Sequence, residues 1–512
     1  MRASGILLHI SSLSGEQGIG KLGREAYAFA DFLHKAGQRY WQILPVSPTS
    51  YGDSPYQSFS IFAGNPYFID LETLAEEGLL RRSDFTDINW GEKASVDYGL
   101  IYKKIFKVLR KAYEAYKKTG DTACAEFTKA NGWLPDYALF MALKSAHGGE
   151  GWYKWEKPLA MFEKSAVEKA RKELADDIGF HCFLQYEYHK QWTALKKYVN
   201  GLGIDFIGDI PIYVAYDSVE VWTHPELFLL DDEKKPIDVA GCPPDVFAAK
   251  GQLWGNPLYR WDYMEQQGYK WWTERLRAAC TTYDVVRIDH FRGFESYYCI
   301  PYGREDAVIG EWRKGPGMKL FKAVRAELGR QRIIAEDLGF ITKAVGRMLK
   351  ASGFPGMKVL EFAFDPSGES SYLPHNFTSP NCVCYTGTHD NETAVGWVNS
   401  ISRKEKKFCR EYLNVKRDRD IPRGLIRAAW ASIADTAIAQ MQDILELDSS
   451  ARMNIPATLG GNWQWRLTGG ELTDELAAEI YDLTRIYGRL PTLPAEKPAK
   501  EKKSAGKTKK NK

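Results

Sequence analysis

Several features common in chains of this length are missing. No apolar run approaches the ~18 residues of a membrane span. The opening stretch MRASGILLHISSLSG enters a strand-like run at once, without the charged leader, long apolar segment or cleavage site of a secretory signal. Eight cysteines lie scattered at 124, 182, 242, 280, 299, 382, 384 and 409, and none forms a CxxC pair. This spacing argues against a disulfide framework and for free thiols in a reducing, cytoplasmic compartment. A glycine-rich phosphate loop after the first strand is missing too, because SSLSGEQGIG is too long and poorly spaced to be one.

The body of the chain also lacks excess charge. The formal net charge is +3, but residues 495–512, AEKPAKEKKSAGKTKKNK, hold eight Lys and two Glu, so the remainder sums to −3. A body of that charge is not an electrostatic nucleic-acid binder. The tail reads as a disordered, solvated extension, with a surface or nucleic-acid tether as the alternative.

What is present is an alternation of short apolar runs with helical patterns. GILLHI at 5–10, YWQILPV at 40–46, IDFIGDIPI at 204–212, VVRIDH at 285–290, RIIAED at 332–337, GMKVLEFAF at 356–364 and CVCYTG at 382–387 read as strands. A helix is expected over 23–36 and an eighth strand near ARMNIPATLG at 451–460. β-Branched runs without polar alternation mark strands buried on both faces, as in parallel sheets. About eight such units predict an α/β fold of the (β/α)8 TIM-barrel class, with a doubly wound open sheet as the alternative. The barrel is expected to span 1–494. Lys-, Glu-, Ala- and Leu-rich sequence with helical spacing predicts a mainly helical insertion at about 71–200, and a groove-forming insertion is expected at about 213–280. The chain ends in a helical pattern and the tail, so no C-terminal β-sandwich domain is expected.

The strands end in charge. Asp209, Arg287, Asp289, Glu336 and Asp390 all stand where apolar runs stop, and in a (β/α)8 barrel such ends converge on one mouth. Strand alternation places Arg287 and Asp289 on one face, Ile334 and Glu336 on another, and Thr388 and Asp390 on a third. Asp337 alternates away from Glu336 and reads as structural. Carboxylates crowded together raise the proton affinity of at least one, while an adjacent arginine keeps another ionised. That combination suits glycoside cleavage. A divalent-metal site would gather acids in the same way, and any one of these acids alone reads more simply as a helix cap or ion-pair partner. Aromatics make up 13% of the chain, and many sit with Asn, Gln and Asp in SYGDSPYQSFSIFAGNPYF and PPDVFAAKGQLWGNPLYRW. Sugar rings, apolar on their faces and polar at their rims, fit such loops.

Long blocks of the chain resemble the 4-α-glucanotransferases known as amylomaltases or disproportionating enzymes, relatives of the α-amylases. They include YGDSPYQSFSIFAGNPY, GDIPIYVAYDS, GCPPDVFAAKGQLWGNPLYRW, VVRIDHFRGF, AEDLG, PGMKVLEFAF, YTGTHDNET and RMNIPATLGGNWQWR. The resemblance implies Asp289 as nucleophile, Glu336 as acid/base and Asp390 as a third carboxylate on the sugar hydroxyls, with Arg287 and His389 as their partners. It implies a glucan groove lined by Ser54, Tyr56, Asp245, Gln252, Trp254 and Asn256, an acid at Asp209, and a secondary glucan site at Tyr51 and Tyr98. It further implies α-1,4-glucan oligosaccharides as substrates and no metal or organic cofactor. DIPIYV lacks the Asn-His pair that amylases carry after the equivalent aspartate, which favours the transferase branch.

Overall fold

The computed structural model describes residues 2–50, 52–244, 248–339 and 341–491. The lysine-rich tail expected to be disordered lies outside the described residues. Among the described residues twelve strands form. The first six are β1 (Ala3–Leu7), β2 (Tyr40–Gln42), β3 (Asp205–Ile210), β4 (Asp238–Cys242), β5 (Gln252–Pro257) and β6 (Val285–Ile288). β7 (Ser296–Pro301), β8 (Glu311–Lys314), β9 (Ile333–Ala335), β10 (Gly356–Val359), β11 (Cys382–Tyr385) and β12 (Thr436–Gln440) follow. Eight of them pair in the order β10-β11-β12-β1-β2-β3-β6-β9, parallel throughout. Each lies beside its predecessor and β12 returns to β1, which is the expected (β/α)8 barrel. Strands such as VVRI and CVCY are buried along their whole length, as helices packed outside a parallel sheet require.

One seam of the barrel is not a ladder. Between β9 and β10, the Ala335 N–H donates to the Pro355 carbonyl (2.9 Å) and the Met357 N–H donates to the Asp337 carboxylate (2.6 Å). Asp337 therefore takes the structural place expected of it. A Cβ on Gly356 would stand 2.7 Å from its oxygens, so only glycine admits the latch.

The eighth strand is not the one expected. Residues 451–460 form no strand, and β12 is TAIAQ at 436–440. Alanine carries strong helix propensity, so this short run blends into the helical patterns on either side. What makes it a strand is the vacancy beside β1, where Ala3 to Leu7 pair with Thr436 to Gln440 residue by residue. The runs at 5–10, 40–46 and 356–364 also stop sooner than expected, the last turning into a 3-10 segment at Leu360–Phe362.

The 71–200 region is helical, and its longest element, Ala175–Gly201, docks on the barrel through Trp192, whose ring lies 4.9 Å from that of Phe206. Two glutamines on this helix grip the loop that precedes it in sequence. Gln185 accepts from the Gly64 N–H (2.8 Å) and donates to the Gly64 carbonyl (2.9 Å), and Gln191 accepts from the Asp70 N–H (2.8 Å). A Cβ on Gly64 would stand 1.9 Å from the Tyr188 ring. From the other side, Glu220 accepts from Ser60 and the Ile61 N–H, each at 2.9 Å. A second sheet, antiparallel in the order β5-β4-β7-β8, takes β4 and β5 from the 213–280 region and β7 and β8 from beyond it.

At the opposite end of the chain, Arg489 is fully buried and its donors go to backbone carbonyls. It donates to the carbonyls of Trp430 (2.7 Å), Ala3 (2.9 Å), Ser432 (3.0 Å) and Ala434 (3.0 Å), tying the last described helix to the start of β1 and the approach to β12. Arg489→Leu takes this donor from the Ala3 and Ala434 carbonyls, while those of Trp430 and Ser432 keep Arg2 (2.8 and 2.7 Å). Unsatisfied buried groups cost about 1–3 kcal/mol each before relaxation, so the variant is expected to lose about 3 kcal/mol or more in urea unfolding. A change within error would remove Arg489 from the fold's supports.

Candidate active site

At the carboxyl end of the barrel the site is built on Arg287. Register places it opposite Asp209 of β3, and its Nη1 reaches Asp209 Oδ2 at 2.5 Å and Asp289 Oδ1 at 3.0 Å. Nε points at Met357 Sδ, 3.5 Å away across the barrel. Burial opposes a charge here, but Asp209 and then Asp289 outweigh it and hold the guanidinium charged. Tyr56, from the loop gripped by Gln185 and Glu220, donates its hydroxyl to Asp209 Oδ2 (2.9 Å). Asp209 is therefore a buried counter-ion engaged through Oδ2, while its Oδ1 has no hydrogen-bond partner among the described residues.

Glu336 follows directly on β9, and its backbone continues the strand pairing through Ile288 and Phe291. Its carboxylate is pinned by two backbone donors, His290 N–H to Oε2 (2.7 Å) and Leu338 N–H to Oε1 (2.6 Å). His290 adopts a left-handed conformation with φ 50°. That turn, uncommon for a residue with a Cβ, swings the chain after Asp289 so that its N–H faces Glu336. The Trp254 ring meets the His290 ring edge-on at 4.8 Å, and burial, helped by Arg292, lowers the His290 pKa to about 3, so the imidazole is neutral.

The two carboxylates differ in what surrounds them. Burial and then the charge of Asp289 raise the proton affinity of Glu336, against the pull of Arg287 and the two N–H groups. Asp289 is raised less: burial acts on it too, but Arg287 in direct contact opposes it, and its side chain keeps 30% exposure toward the cleft. The pair therefore holds its proton on Glu336 while Asp289 is the anion.

Asp390 stands beyond β11 with 44% side-chain exposure. Burial of its carboxyl works against ionisation, but His389 at 3.4 Å and the Asn454 amide at 2.6 Å outweigh it and hold the pKa below the usual carboxylate range. His389 stacks on Tyr56 (centroids 5.1 Å, 19° between planes) and lies 5.9 Å from the Trp463 ring. Arg452 donates to the Asp390 carbonyl (2.9 Å) and pairs with Glu392 (3.3 Å).

Most of the expected residues meet here. Arg287, Asp289, Glu336, Asp209, His389, Asp390, Tyr56 and Trp254 share one network of contacts. Gln252 accepts from Trp254 Nε1 (3.1 Å), and Ser54 Oγ accepts from the Tyr56 N–H (3.2 Å). Asn256 is committed elsewhere, donating to the Val214 carbonyl (2.8 Å) and accepting from Gln57 (3.1 Å). Tyr98 is only 6% exposed and donates its hydroxyl to the Trp463 carbonyl (2.8 Å), so it presents almost no face to solvent. Asp245 and Tyr51 lie outside the described residues. Arg452 and Asn454 lie in ARMNIPATLG, the segment expected as the eighth strand, and Trp463 just beyond it, so none of the three is among the residues expected at the site. The polar residues inside that apolar run and the paired glycines before Trp463, both at positive φ, were the available signal.

Comparison with known proteins bears on this geometry. Residues 8–473 match the profile of a family described as 4-alpha-glucanotransferase. The chain belongs to the 4-alpha-glucanotransferase family. It is 50% identical over 486 residues to the 4-alpha-glucanotransferase of Clostridium butyricum, covering 94% of this chain and all of that one. To the Thermus thermophilus member it is 48% identical, covering 96% and 99%. Among solved structures, the amylomaltase from Streptococcus agalactiae in complex with acarbose superposes with a TM-score of 0.94 at 43% identity, covering 96% of this chain and all of that one. The Corynebacterium glutamicum amylomaltase, at 18% identity, covers 95% of this chain and 75% of its own and shares the fold with a TM-score of 0.73.

Among the described residues of this family member, no group of three or more His, Cys, Asp or Glu side chains is placed to hold a metal ion, and no helix is long and apolar enough to cross a membrane. Arg287→Met tests the network. It strands Asp209 and Asp289 without their cation, so a stability loss of about 3–5 kcal/mol is expected. Because Arg287 favours the anion of Asp289, its removal raises that pKa, and the acid limb of a kcat/KM profile should move to higher pH. An unmoved limb would separate Arg287 from the ionisation of Asp289.

Proposed function

We propose that the chain exchanges α-1,4 bonds between glucans by a retaining double displacement, with maltose, maltodextrins and starch or glycogen fragments as substrates. The observation that carries this reading is the Glu336 carboxyl, pinned by the His290 and Leu338 N–H groups, at the mouth where Arg287 contacts Asp289 at 3.0 Å, with burial and the Asp289 charge raising the proton affinity of Glu336. In the first step Glu336 gives its proton to the glycosidic oxygen while the Asp289 carboxylate attacks the anomeric carbon. The bond from that carbon to the leaving glucan breaks, and a glycosyl ester forms on Asp289. Glu336, now a carboxylate, takes the proton of an acceptor 4-hydroxyl, whose oxygen displaces Asp289 and restores the original configuration. Two inversions give retention, for which the reacting carboxyls should stand about 5–5.5 Å apart.

Asp390, held ionised by His389 and Asn454, is positioned to grip sugar hydroxyls and to favour the cationic ring of the transition state. Tyr56, Trp254 and Gln252 supply ring faces and an amide suited to bound glucose units. Transfer outruns hydrolysis only where water is kept from the glycosyl ester, a task suited to the aromatic loops around the cleft. Asp245, Tyr51 and Tyr98 retain their proposed glucan contacts by resemblance alone, and Asn256 acts there through Gln57. A cytoplasmic setting fits the eight cysteines, none of them in a disulfide.

Maltotriose alone tests the reaction: a ladder of longer and shorter oligomers without matching growth in reducing ends is expected, and glucose release with no longer product would overturn transfer. Glu336→Gln should lose about 10²–10⁴-fold in rate on maltotriose yet still form a glycosyl ester from α-glucosyl fluoride, whose leaving group needs no proton. Asp289→Asn should form none from either donor. Activity should fall as pH rises through the elevated pKa of Glu336, which must be protonated, and as pH falls through that of Asp289, which must be ionised. A profile flat from pH 4 to 9 would defeat both roles.

A further inference from the structure

The barrel opens at its other end as well. At the amino ends of the strands lies a cavity of about 600 Å³, at the end of the barrel opposite the carboxylates. Its wall passes between Ile333 and Ile334 of β9 and the Phe354–Pro355 approach to β10, the neighbouring strands that share no ladder. The volume falls in the ~300–1,000 Å³ range of small-molecule sites. Inside, the lining is apolar and includes Ile207, Val285, Phe321 and Val383 from four different elements.

The rim has the opposite character. Lys322 and Arg325, on the helix Met318–Leu328, and Arg330 and Arg332, on the loop after it, line the same opening, and no Asp or Glu does. Arg332 is occupied by Asp205 (2.7 Å) and the Tyr40 hydroxyl (3.0 Å). Lys322, Arg325 and Arg330 form no ion pair among the described residues. Isolated surface cations are ordinary solvated groups. Three of them unneutralised around one apolar, ligand-sized opening form a different arrangement, because cations at a partly enclosed mouth are screened less than on an open face.

We infer that this cavity binds a small organic phosphate, its ring system against Phe321, Phe354 and Ile334 and its phosphates at Lys322, Arg325 and Arg330. Guanidinium groups favour phosphate through paired N–H donors, and the apolar interior gives the attached ring a dry surface. Nucleotides and sugar phosphates share this chemistry. None of the six residues belongs to the site at the carboxyl end.

Calorimetric titration of the full chain with ATP, glucose 6-phosphate, adenosine and inorganic pyrophosphate tests the assignment, against the wild type and an Arg325→Glu/Arg330→Glu double variant. Both arginines are exposed, so the variant should fold and transfer from maltotriose as the wild type does. Saturable binding of ATP or glucose 6-phosphate is expected, telling which ring the cavity accepts. The double variant should bind at least about tenfold more weakly, as loss of charge-assisted contacts implies. Adenosine or pyrophosphate alone should bind more weakly than ATP. No saturable binding by either organic phosphate at millimolar concentration, or binding undiminished in the double variant, would overturn the site. Pyrophosphate binding as tightly as ATP would overturn the role given to the apolar wall.

Discussion

A single buried cation organises the catalytic end of the molecule. Arg287 is almost wholly enclosed, and a guanidinium taken from water is tolerated only where anions replace the solvent. Asp209, on the neighbouring strand and sealed by the Tyr56 hydroxyl, supplies one anion, and Asp289 supplies the other. The division of labour follows. Asp209 is a fully buried counter-ion held through one oxygen, whereas Asp289 keeps 30% side-chain exposure toward the cleft and stays ionised by the cation beneath it. Its charge then raises the proton affinity of Glu336. One ion contact thus separates two chemically similar carboxyls into an anion and an acid.

The surrounding elements give that electrostatic arrangement its geometry. Parallel strands deliver their carboxyl ends to one mouth, so residues 209, 289, 336 and 390 meet despite their spacing along the chain. Backbone groups do the finer placing. The left-handed turn at His290 directs an N–H at Glu336, and Leu338 supplies a second from the other side. The inserted helix Ala175–Gly201 acts at a distance, since Gln185 and Gln191 hold the backbone of the loop that carries Tyr56. Tyr56 joins the two halves of the site, bonded to Asp209 and stacked on His389.

The seam between β9 and β10 shapes both ends of the barrel. Near the catalytic mouth it is latched by Asp337, the residue after Glu336, so the strand carrying the acid is held by a side chain where a ladder is missing. Toward the other mouth the unpaired strands leave the apolar cavity with its cationic rim. A closed ladder would have removed that space.

Much of this was legible in the residue order because burial on both faces leaves a local mark. Apolar β-branched runs such as VVRI and CVCY announced barrel strands, and alternation was enough to set Arg287 and Asp289 on one face and Asp337 on the other. Long blocks shared with a known family carried the activity, and the resemblance implied roles for the three carboxylates. Other features depend on neighbours distant in the chain. TAIAQ forms the eighth strand because a place beside β1 has to be filled, and the segment expected there instead brings Asn454 to Asp390, with Trp463 just after it beside His389. Tyr98, an aromatic platform by resemblance, is buried under the backbone it bonds. Which carboxyl retains a proton was likewise not written locally: Asp289 and Glu336 differ in the sum of burial, charge and backbone dipoles at each, and that sum exists only after the strands have closed around Arg287.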